Sequence, residues 1–276
     1  MIHIPNVKTK RRCAVISCLV SMIFMCGKIR PWANEVETQW EAFLPSTEST
    51  PNYCPKNDQI ARHWINKLYS STAIRLYSAC RQLIRVGSDG DGGKLVCTDN
   101  INKENCVIYS LGSRLDFSFE IASIKELGCE LHTFDCTVGE VKGSDIPDGV
   151  HFYPWCVGGK SERKVISSDL GHTGEMGQYY PIHEIMRKLG HERIDILKMD
   201  IERHELAVIR NLKRRSAPSQ VVFETHLHNA YGLWNRPMTH KEWDNMWKKL
   251  AKLGYRIFSF ETTPTGLCCS EWSIKM

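Results

Sequence analysis

The feature of this sequence that most constrains its fold is the alternation of strand-like and helix-like apolar patterns from about residue 85 onward. Seven short apolar runs predict β-strands. They are Val107–Leu111, Glu130–Asp135, His151–Trp155, Ile194–Met199, Gln220–Glu224, Arg256–Glu261 and Glu271–Lys275. Helical patterns lie between several of these runs. Alternation of this kind predicts an α/β fold with a mostly parallel sheet that is covered on both faces.

Three of the predicted helices have recognisable ends. The helix that carries Phe117, Ile121 and Ile124 on one face can end at Gly128. The helix Pro181–Leu189 stops at Gly190. A capping box, Thr239-x-x-Glu242, begins a third helix that Gly254 ends. A further amphipathic helix is predicted around Ile60–Tyr69 from apolar residues at helical spacing.

The N-terminal 30 residues read as a targeting segment. They contain six basic side chains and no acid, and the run Cys13–Gly27 is uncharged. As a helix that run would extend about 22 Å, which is short of a hydrocarbon core of about 30 Å. Phe24–Gly27 lacks the small residues of a cleavage site, so an uncleaved signal anchor is favoured over a signal peptide. Either interpretation predicts a secretory-pathway protein that contacts the membrane only through this segment.

These patterns divide the chain into three parts: 1–30 as tail and anchor or signal peptide, 31–58 as a proline-containing stem or linker, and 59–276 as the folded domain. The formal net charge is +5, and the six cations of residues 1–30 account for all of it. The remaining 30 basic and 31 acidic residues sum to −1. We therefore expect no nucleic-acid partner, because such proteins carry a positive field.

Twelve cysteines are a high count for a chain of this length. Three lie in the apolar run, and the other nine could form up to four disulfides in an oxidising compartment. Cys97 and Cys106 flank the polar turn Thr98–Asn105, so they could bridge a hairpin. The vicinal pair Cys268–Cys269 is expected to bond to two different partners. No CxxC or HExxH motif is present, so no metal site is expected.

Two candidate site residues follow predicted strands. Gly112 lies in the strand-to-helix junction Tyr109–Glu120, where it permits a tight turn and a close backbone approach to a ligand. Asp135 ends the next strand, at the place where an acidic side chain accepts hydrogen bonds from ribose hydroxyls. The alternative is a turn glycine and a helix-capping aspartate.

The fourth predicted strand ends in three alternating charges, Lys198, Asp200 and Glu202. Charges that share one face of a buried strand are costly unless they face a cleft or each other. The alternative is a surface ion pair between Lys198 and an acid. After the third strand, Trp155 or Val157 could lie against an adenine ring, although the sequence context favours a core role for Trp155.

Taken together, several segments resemble the eukaryotic methyltransferase-like family, which is related to FkbM-type S-adenosylmethionine-dependent methyltransferases. The segments are Gly87…Asp91-Gly-Gly93, Tyr109-Ser-Leu-Gly112, Asp116-x-Ser-Phe-Glu120, Phe134-Asp135, Leu197-Lys-Met-Asp-Ile-Glu202, Val222-x-Glu224-x-His226 and Cys268-Cys-Ser-Glu271. The resemblance implies a Rossmann-like, seven-stranded class I methyltransferase fold whose last strand inserts antiparallel. One departure is Arg203, which stands where the family usually has glycine.

The resemblance also implies S-adenosylmethionine as the cofactor. The residues that it assigns to cofactor binding are Ser110, Gly112, Ser113, Asp116, Glu120, Asp135, Cys156, Val157 and Asp200. Asp200, His226 and His228 are the candidate catalytic residues, because each follows a strand at the same edge of the sheet. The acceptor is expected to be a small molecule or a glycan, and the oligomeric state stays open.

Two alternative functions are compatible with the sequence. A lumenal glycosyltransferase would use Asp89-Gly90-Asp91 to hold Mn²⁺ and a nucleotide sugar. Against it, this motif precedes the first core strand. A binding module that kept the fold but lost catalysis is the other alternative, and only Arg203 supports it.

Overall fold

The structure is a computed structural model that describes residues 79–89, 92–168, 171–202, 204–226, 239–263 and 266–276. All of them belong to the unit Pro51–Met276. The segments predicted for 1–30 and 31–58, and the helix predicted around Ile60–Tyr69, lie outside these residues. Within the described part of the chain, the helices are all too short or too polar to cross a membrane.

Strands and helices alternate along much of the described chain. In sequence order they are β1 (Leu83–Val86), β2 (Lys94–Cys97), β3 (Val107–Leu111), α1 (Ser118–Leu127), β4 (Glu130–Phe134), β5 (Val150–Tyr153), β6 (Cys156–Val157), β7 (Glu162–Ser168), β8 (Gly171–Tyr180), α2 (Ile182–Leu189), β9 (Ile196–Met199), α3 (Glu205–Asn211), β10 (Gln220–His226), α4 (His240–Leu253), β11 (Arg256–Thr263) and β12 (Gly266–Lys275).

A seven-stranded sheet in the order β11-β12-β10-β9-β3-β4-β5 is the centre of the fold. Strands β10, β9, β3, β4 and β5 pair in parallel, whereas β12 is antiparallel to both β10 and β11. Each of the seven strands predicted from sequence is a strand of this sheet. The Rossmann-like prediction, including the antiparallel last strand, is therefore confirmed.

Each face of the sheet is covered by a different set of elements. Helices α2, α3 and α4 bury one face around Tyr109, Leu197 and Phe223. The other face, around Ile108 and Val222, is covered by α1 together with the β1–β2 hairpin. The sequence predicted helices on both faces, and within the described residues a hairpin shares the second face with α1.

Three regions escaped the sequence prediction: the β1–β2 hairpin, the helix α3, and a small sheet in the order β6-β8-β7. Strands β7 and β8 are mostly polar. Val165 and Met176 are exposed, whereas the buried apolar residues Ile166 and Tyr179 are isolated along their strands. Such strands lack the buried apolar run that marks the central strands.

Disulfides join three pairs of the described cysteines: Cys80–Cys97, Cys106–Cys129 and Cys136–Cys156. The predicted Cys97–Cys106 bridge is wrong. Strand β2 pairs with β1 rather than with β3, so the segment between Cys97 and Cys106 connects two sheets and does not turn a hairpin.

Candidate active site

Three of the predicted site residues meet at the carboxyl edge of the central sheet. Gly112, Asp135 and Asp200 directly follow β3, β4 and β9, which are neighbours in the sheet. The Gly112 N–H donates to the Phe134 carbonyl at 3.0 Å, and the Asp200 N–H donates to the Leu111 carbonyl at 3.0 Å. Ligands of open α/β sheets bind at this edge.

Gly112 is required by a contact within the protein backbone. Its φ is +80°, and a Cβ on this residue would lie 1.9 Å from the Asp200 carbonyl oxygen. The sequence predicted a close approach at this position. The structure shows that the approaching group is the backbone of the loop after β9.

The Asp135 carboxylate is buried and faces the Gly112 loop. Its Oδ2 accepts hydrogen bonds from the N–H groups of Ser113 (2.9 Å) and Arg114 (2.8 Å). Its Oδ1 accepts from the N–H (2.9 Å) and hydroxyl (2.7 Å) of Thr137. A carboxylate has about four acceptor positions. Asp135 therefore organises the loop, and a ribose hydroxyl would have to replace one of these donors.

Other residues that were predicted to bind the cofactor form hydrogen bonds within the protein near this edge. The Ser110 hydroxyl donates to Glu120 Oε1 at 2.6 Å, and both side chains are buried beneath the sheet edge. Burial raises the pKa of Glu120, while Lys198 and the Ser110 hydrogen bond oppose this increase. Asp116 is exposed and accepts a hydrogen bond from the Ser118 N–H (2.9 Å) at the start of α1.

The side chains of Cys156 and Val157 are committed to protein contacts. Cys156 is bonded to Cys136, and Val157 is buried in the core next to strand β8. Any contact of these two residues with a cofactor would therefore involve their backbone. The disulfide holds the start of β6 next to the residue that follows Asp135.

A buried lysine that the sequence did not single out lies beside Asp200. The Lys94 Nζ is 3.6 Å from Asp200 Oδ2 and 2.5 Å from Glu271 Oε1, and the Lys94 side chain is only 1% exposed. Burial alone would lower the pKa of Lys94, but Asp200, Glu271 and Glu224 together raise it above its ordinary value. Lys94 is therefore a buried cation that neutralises part of an acidic edge.

The β1–β2 hairpin covers a row of glutamates. Glu224, Glu271 and Glu261 are in register across β10, β12 and β11. Arg85 of β1 forms an ion pair with Glu261, as Lys94 of β2 does with Glu271. The only sequence signal for this arrangement is a lysine at the head of the apolar run Lys94-Leu-Val-Cys97, which by itself indicates little.

The three charges at the end of β9 and just after it each have their own environment. Lys198 is buried and donates a hydrogen bond to the Gly112 carbonyl, so it does not form the surface ion pair that was the alternative. Asp200 faces Lys94. Glu202 has a left-handed backbone with φ of +50°, which is uncommon for a residue other than glycine.

Several predicted residues lie where side chains are not described. His226 ends β10 in register with Cys269, and only its backbone is placed. His228, Arg203, Gly90 and Asp91 are outside the described residues, while Asp89 belongs to the connection between β1 and β2. The catalytic roles of His226 and His228 stay predictions.

Comparison with known proteins gives one match over most of the chain. The family described as a methyltransferase domain matches residues 36–275. Probable methyltransferase-like protein 24 of Homo sapiens is 26% identical over 179 residues, which is 59% of this chain and 46% of that protein. The Rattus norvegicus protein of the same name is 26% identical over 180 residues, covering 59% and 47%. The chain thus spans about half the length of these relatives.

Similar solved structures are much more distant. A SAM dependent methyltransferase from Aquifex aeolicus has a TM-score of 0.30 and 13% identity, covering 61% of this chain and 81% of that chain. LepI in complex with SAM has a TM-score of 0.38 and 10% identity, covering 65% and 45%. The family match is the informative result, since it extends over far more than half of the sequence. The chain belongs to the methyltransferase domain family.

Proposed function

We propose that this chain is an S-adenosylmethionine-dependent methyltransferase of the secretory pathway that methylates a hydroxyl of a glycan or small molecule. One observation carries the proposal. Gly112, Asp135 and Asp200 meet at the carboxyl edge of adjacent strands, in a chain that belongs to a methyltransferase family. Family membership also favours this proposal over the glycosyltransferase that Asp89-Gly90-Asp91 suggested.

The residues at this edge fit the chemistry of the cofactor. S-adenosylmethionine supplies a methyl group on a positively charged sulfur, together with a ribose that donates hydrogen bonds. Asp135 is a buried acceptor at the ribose position. Asp200, Glu224 and Glu271 outnumber the buried cations Lys94 and Lys198 at this edge, and acids favour a cationic ligand.

Binding would change the partners of Asp135. A ribose hydroxyl at Oδ2 would replace the N–H of Ser113 or Arg114. Arg114 and Leu115 both have positive φ, at 49° and 66°. This backbone conformation is unfavourable for residues with a side chain. The loop is therefore held in a strained conformation by its hydrogen bonds to Asp135. Release of one of these N–H groups would allow the loop to relax.

Methyl transfer requires alignment of the acceptor oxygen with the methyl group, and in some cases a base. Lys94 and the Leu111 carbonyl fix the position of Asp200, so its carboxylate could orient the acceptor or receive its proton. His226, the last residue of β10, and His228, two residues further along the chain, are the alternative bases.

The proposed location is supported by the cysteine pairs. Three disulfides in one domain are expected in an oxidising compartment. The basic N-terminus and the uncharged run Cys13–Gly27 support entry into the secretory pathway. Whether this segment anchors the chain or is removed is decided by N-terminal sequencing of the protein from secretory cells.

The cofactor assignment is tested by calorimetric titration of S-adenosylhomocysteine into the wild type and Asp135→Ala. We expect the substitution to weaken binding by at least about tenfold, because a hydrogen bond to a charged acceptor contributes about 1.5–3 kcal/mol. Asp145→Ala, an exposed carboxylate with local hydrogen bonds, is the matched control. Unchanged affinity in Asp135→Ala would overturn the assignment, and stabilisation by UDP with Mn²⁺ instead would favour the glycosyltransferase.

Turnover is tested separately from binding. Release of S-adenosylhomocysteine is measured with a panel of glycan and small-molecule hydroxyl acceptors, using the wild type and Arg203→Gly. Cofactor binding without turnover in the wild type, together with turnover in Arg203→Gly, would identify the chain as a binding module. Turnover in the wild type supports the enzyme.

A further inference from the structure

A cluster of potential metal ligands lies away from the carboxyl edge. Glu130 is the first residue of β4 and His132 is the third, so their side chains point to the same face of the sheet. His191 follows Gly190, which ends α2 in a left-handed conformation. The chain therefore brings together a strand and a helix end that are 61 residues apart (191 − 130).

The three side chains converge on one point. His132 Nε2 is 2.9 Å and His191 Nε2 is 3.6 Å from Glu130 Oε1, and the three atoms all lie within 4.8 Å of one another. Zinc bound at about 2.0–2.1 Å with tetrahedral angles holds its ligand atoms about 3.3 Å apart. A small adjustment of these side chains would therefore accommodate an ion.

A tyrosine hydroxyl lies next to Nδ1 of each histidine, the ring nitrogen that does not face Glu130. His132 Nδ1 is 3.3 Å from the Tyr153 hydroxyl, and His191 Nδ1 is 2.7 Å from the Tyr109 hydroxyl. In this structure the His132 Nε2–H donates to Glu130. With an ion bound, Nδ1–H would donate to the phenol oxygen, and the Nε2 lone pair would bind the ion in place of that proton. Support of the second ring nitrogen is typical of metal-binding histidines.

We propose that Glu130, His132 and His191 bind a divalent transition metal ion, with zinc as the preferred ion and a fourth position open to water. Two imidazoles and a carboxylate are a ligand set that zinc accepts. The site is separate from the cofactor edge, since His132 precedes Asp135 by three residues, or about 10 Å along a strand. The ion would tie the start of β4 to the connection between α2 and β9.

Another group of described residues has comparable spacing but is not a candidate. Cys80, Cys97 and Asp99 lie close together, yet the two sulfurs are joined to each other. A disulfide sulfur is a poor metal ligand compared with a thiolate. The histidine cluster is thus the stronger of the two.

The experiment uses the full chain with its disulfides intact, stripped of metal by a chelator and titrated with Co²⁺ and Zn²⁺. We expect one equivalent of Co²⁺ to give the intense visible absorption of a four-coordinate site, and Zn²⁺ to displace it. In His132→Ala/His191→Ala the site should be lost or weakened by at least about tenfold. His183→Ala, a half-buried histidine of α2 outside the cluster, is the matched control.

Glu130→Gln is the second variant, because the Glu130 side chain is half exposed and its replacement should not impair folding. It should also weaken Co²⁺ binding by at least about tenfold. Absence of Co²⁺ binding to the wild type would overturn the proposal, as would unchanged binding in both variants. Binding that depends on His183 instead would assign the metal to another site and likewise refute this one.

Discussion

Gly112 illustrates how one residue position fixes the geometry of the site. We expect Gly112→Ala to lower the free energy of unfolding by at least about 2 kcal/mol, because the left-handed φ is unfavourable and the Cβ would collide with the Asp200 carbonyl. Gly139 has a φ of +69° but no atom within 4 Å of an added Cβ. Gly139→Ala should therefore cost only about 1 kcal/mol. Urea unfolding followed by tryptophan fluorescence measures both, and equal losses would contradict the close contact.

Lys94 is the buried cation that compensates the carboxylates of Asp200 and Glu271 at the carboxyl edge of the sheet. Lys94→Met should destabilise the fold by about 3–5 kcal/mol, because Asp200 and Glu271 would be left without their buried cation. Lys160 forms an exposed ion pair with Glu162, so Lys160→Met should leave stability unchanged.

The pH dependence of the Lys94 effect follows from its raised pKa. The contribution is complete below the ordinary lysine pKa of about 10.4 and is lost only as the pH rises through the higher value in the folded protein. The difference in unfolding free energy between wild type and Lys94→Met should therefore be constant from pH 6 to 9. A marked decrease within that range would show that Lys94 is not held as a buried cation.

At the residue scale, the sequence could identify Gly112 and Asp135 because both directly follow apolar strands, and position relative to a strand is a local property. It could not identify Lys94. Its partner Glu271 is 177 residues away, and their contact depends on a hairpin folding over the sheet. The disulfide pairing was equally inaccessible, since spacing along the chain does not determine which cysteines meet.

Among the elements, two disulfides lie at opposite edges of the sheet. Cys106–Cys129 joins the residues just before β3 and β4, whereas Cys136–Cys156 lies beyond the end of β4, next to Asp135. They close loops of similar length, with sequence separations of 23 and 20. Replacing either pair by serine should cost about 3 kcal/mol of stability.

Only the pair at the carboxyl edge should affect the cofactor. Cys136→Ser/Cys156→Ser should weaken binding of S-adenosylhomocysteine by at least about tenfold, while Cys106→Ser/Cys129→Ser should leave it unchanged. Calorimetry on both folded double variants makes the comparison. Equal affinities would place the cofactor away from Cys136 and Asp135.

The sequence predicted well those elements whose buried residues form a regular apolar pattern along the chain. The seven central strands and the helix ends at Gly128, Gly190 and Gly254 follow from apolar runs and left-handed caps. Strands β7 and β8 pair mainly with each other, and much of their surface is polar. Their sequences therefore lack the periodic apolar pattern from which a strand can be predicted.

For the whole molecule, stability in acid should depend on His204, a half-buried histidine whose pKa is lowered in the folded protein. Burial, with a smaller effect of Lys164, lowers the pKa of His204 to about 4, and an unfolded histidine titrates near 6.5. Between these values the unfolded chain binds more protons, so stability falls as the pH falls. His204→Phe should lessen this loss by roughly 1–2 kcal/mol between pH 6.5 and 4.5, at about 1.4 kcal/mol per unit.

Urea unfolding at several pH values measures this dependence. His151 is exposed, so His151→Phe is the control and should reproduce the wild-type profile. A His204→Phe profile that parallels the wild type would show that folding does not lower the pKa of His204. The architecture itself was predictable at this scale, because alternation of strands and helices determines a parallel sheet.

The contact between Gly112 and the Asp200 carbonyl also limits how such a chain can diversify. No atom can be inserted between the two loops, so a change in the backbone of one requires a matching change in the other. Evolution or design can exchange the side chains around this point without disturbing the contact. Insertions and deletions, by contrast, are expected only in segments that do not take part in this pairing of loops.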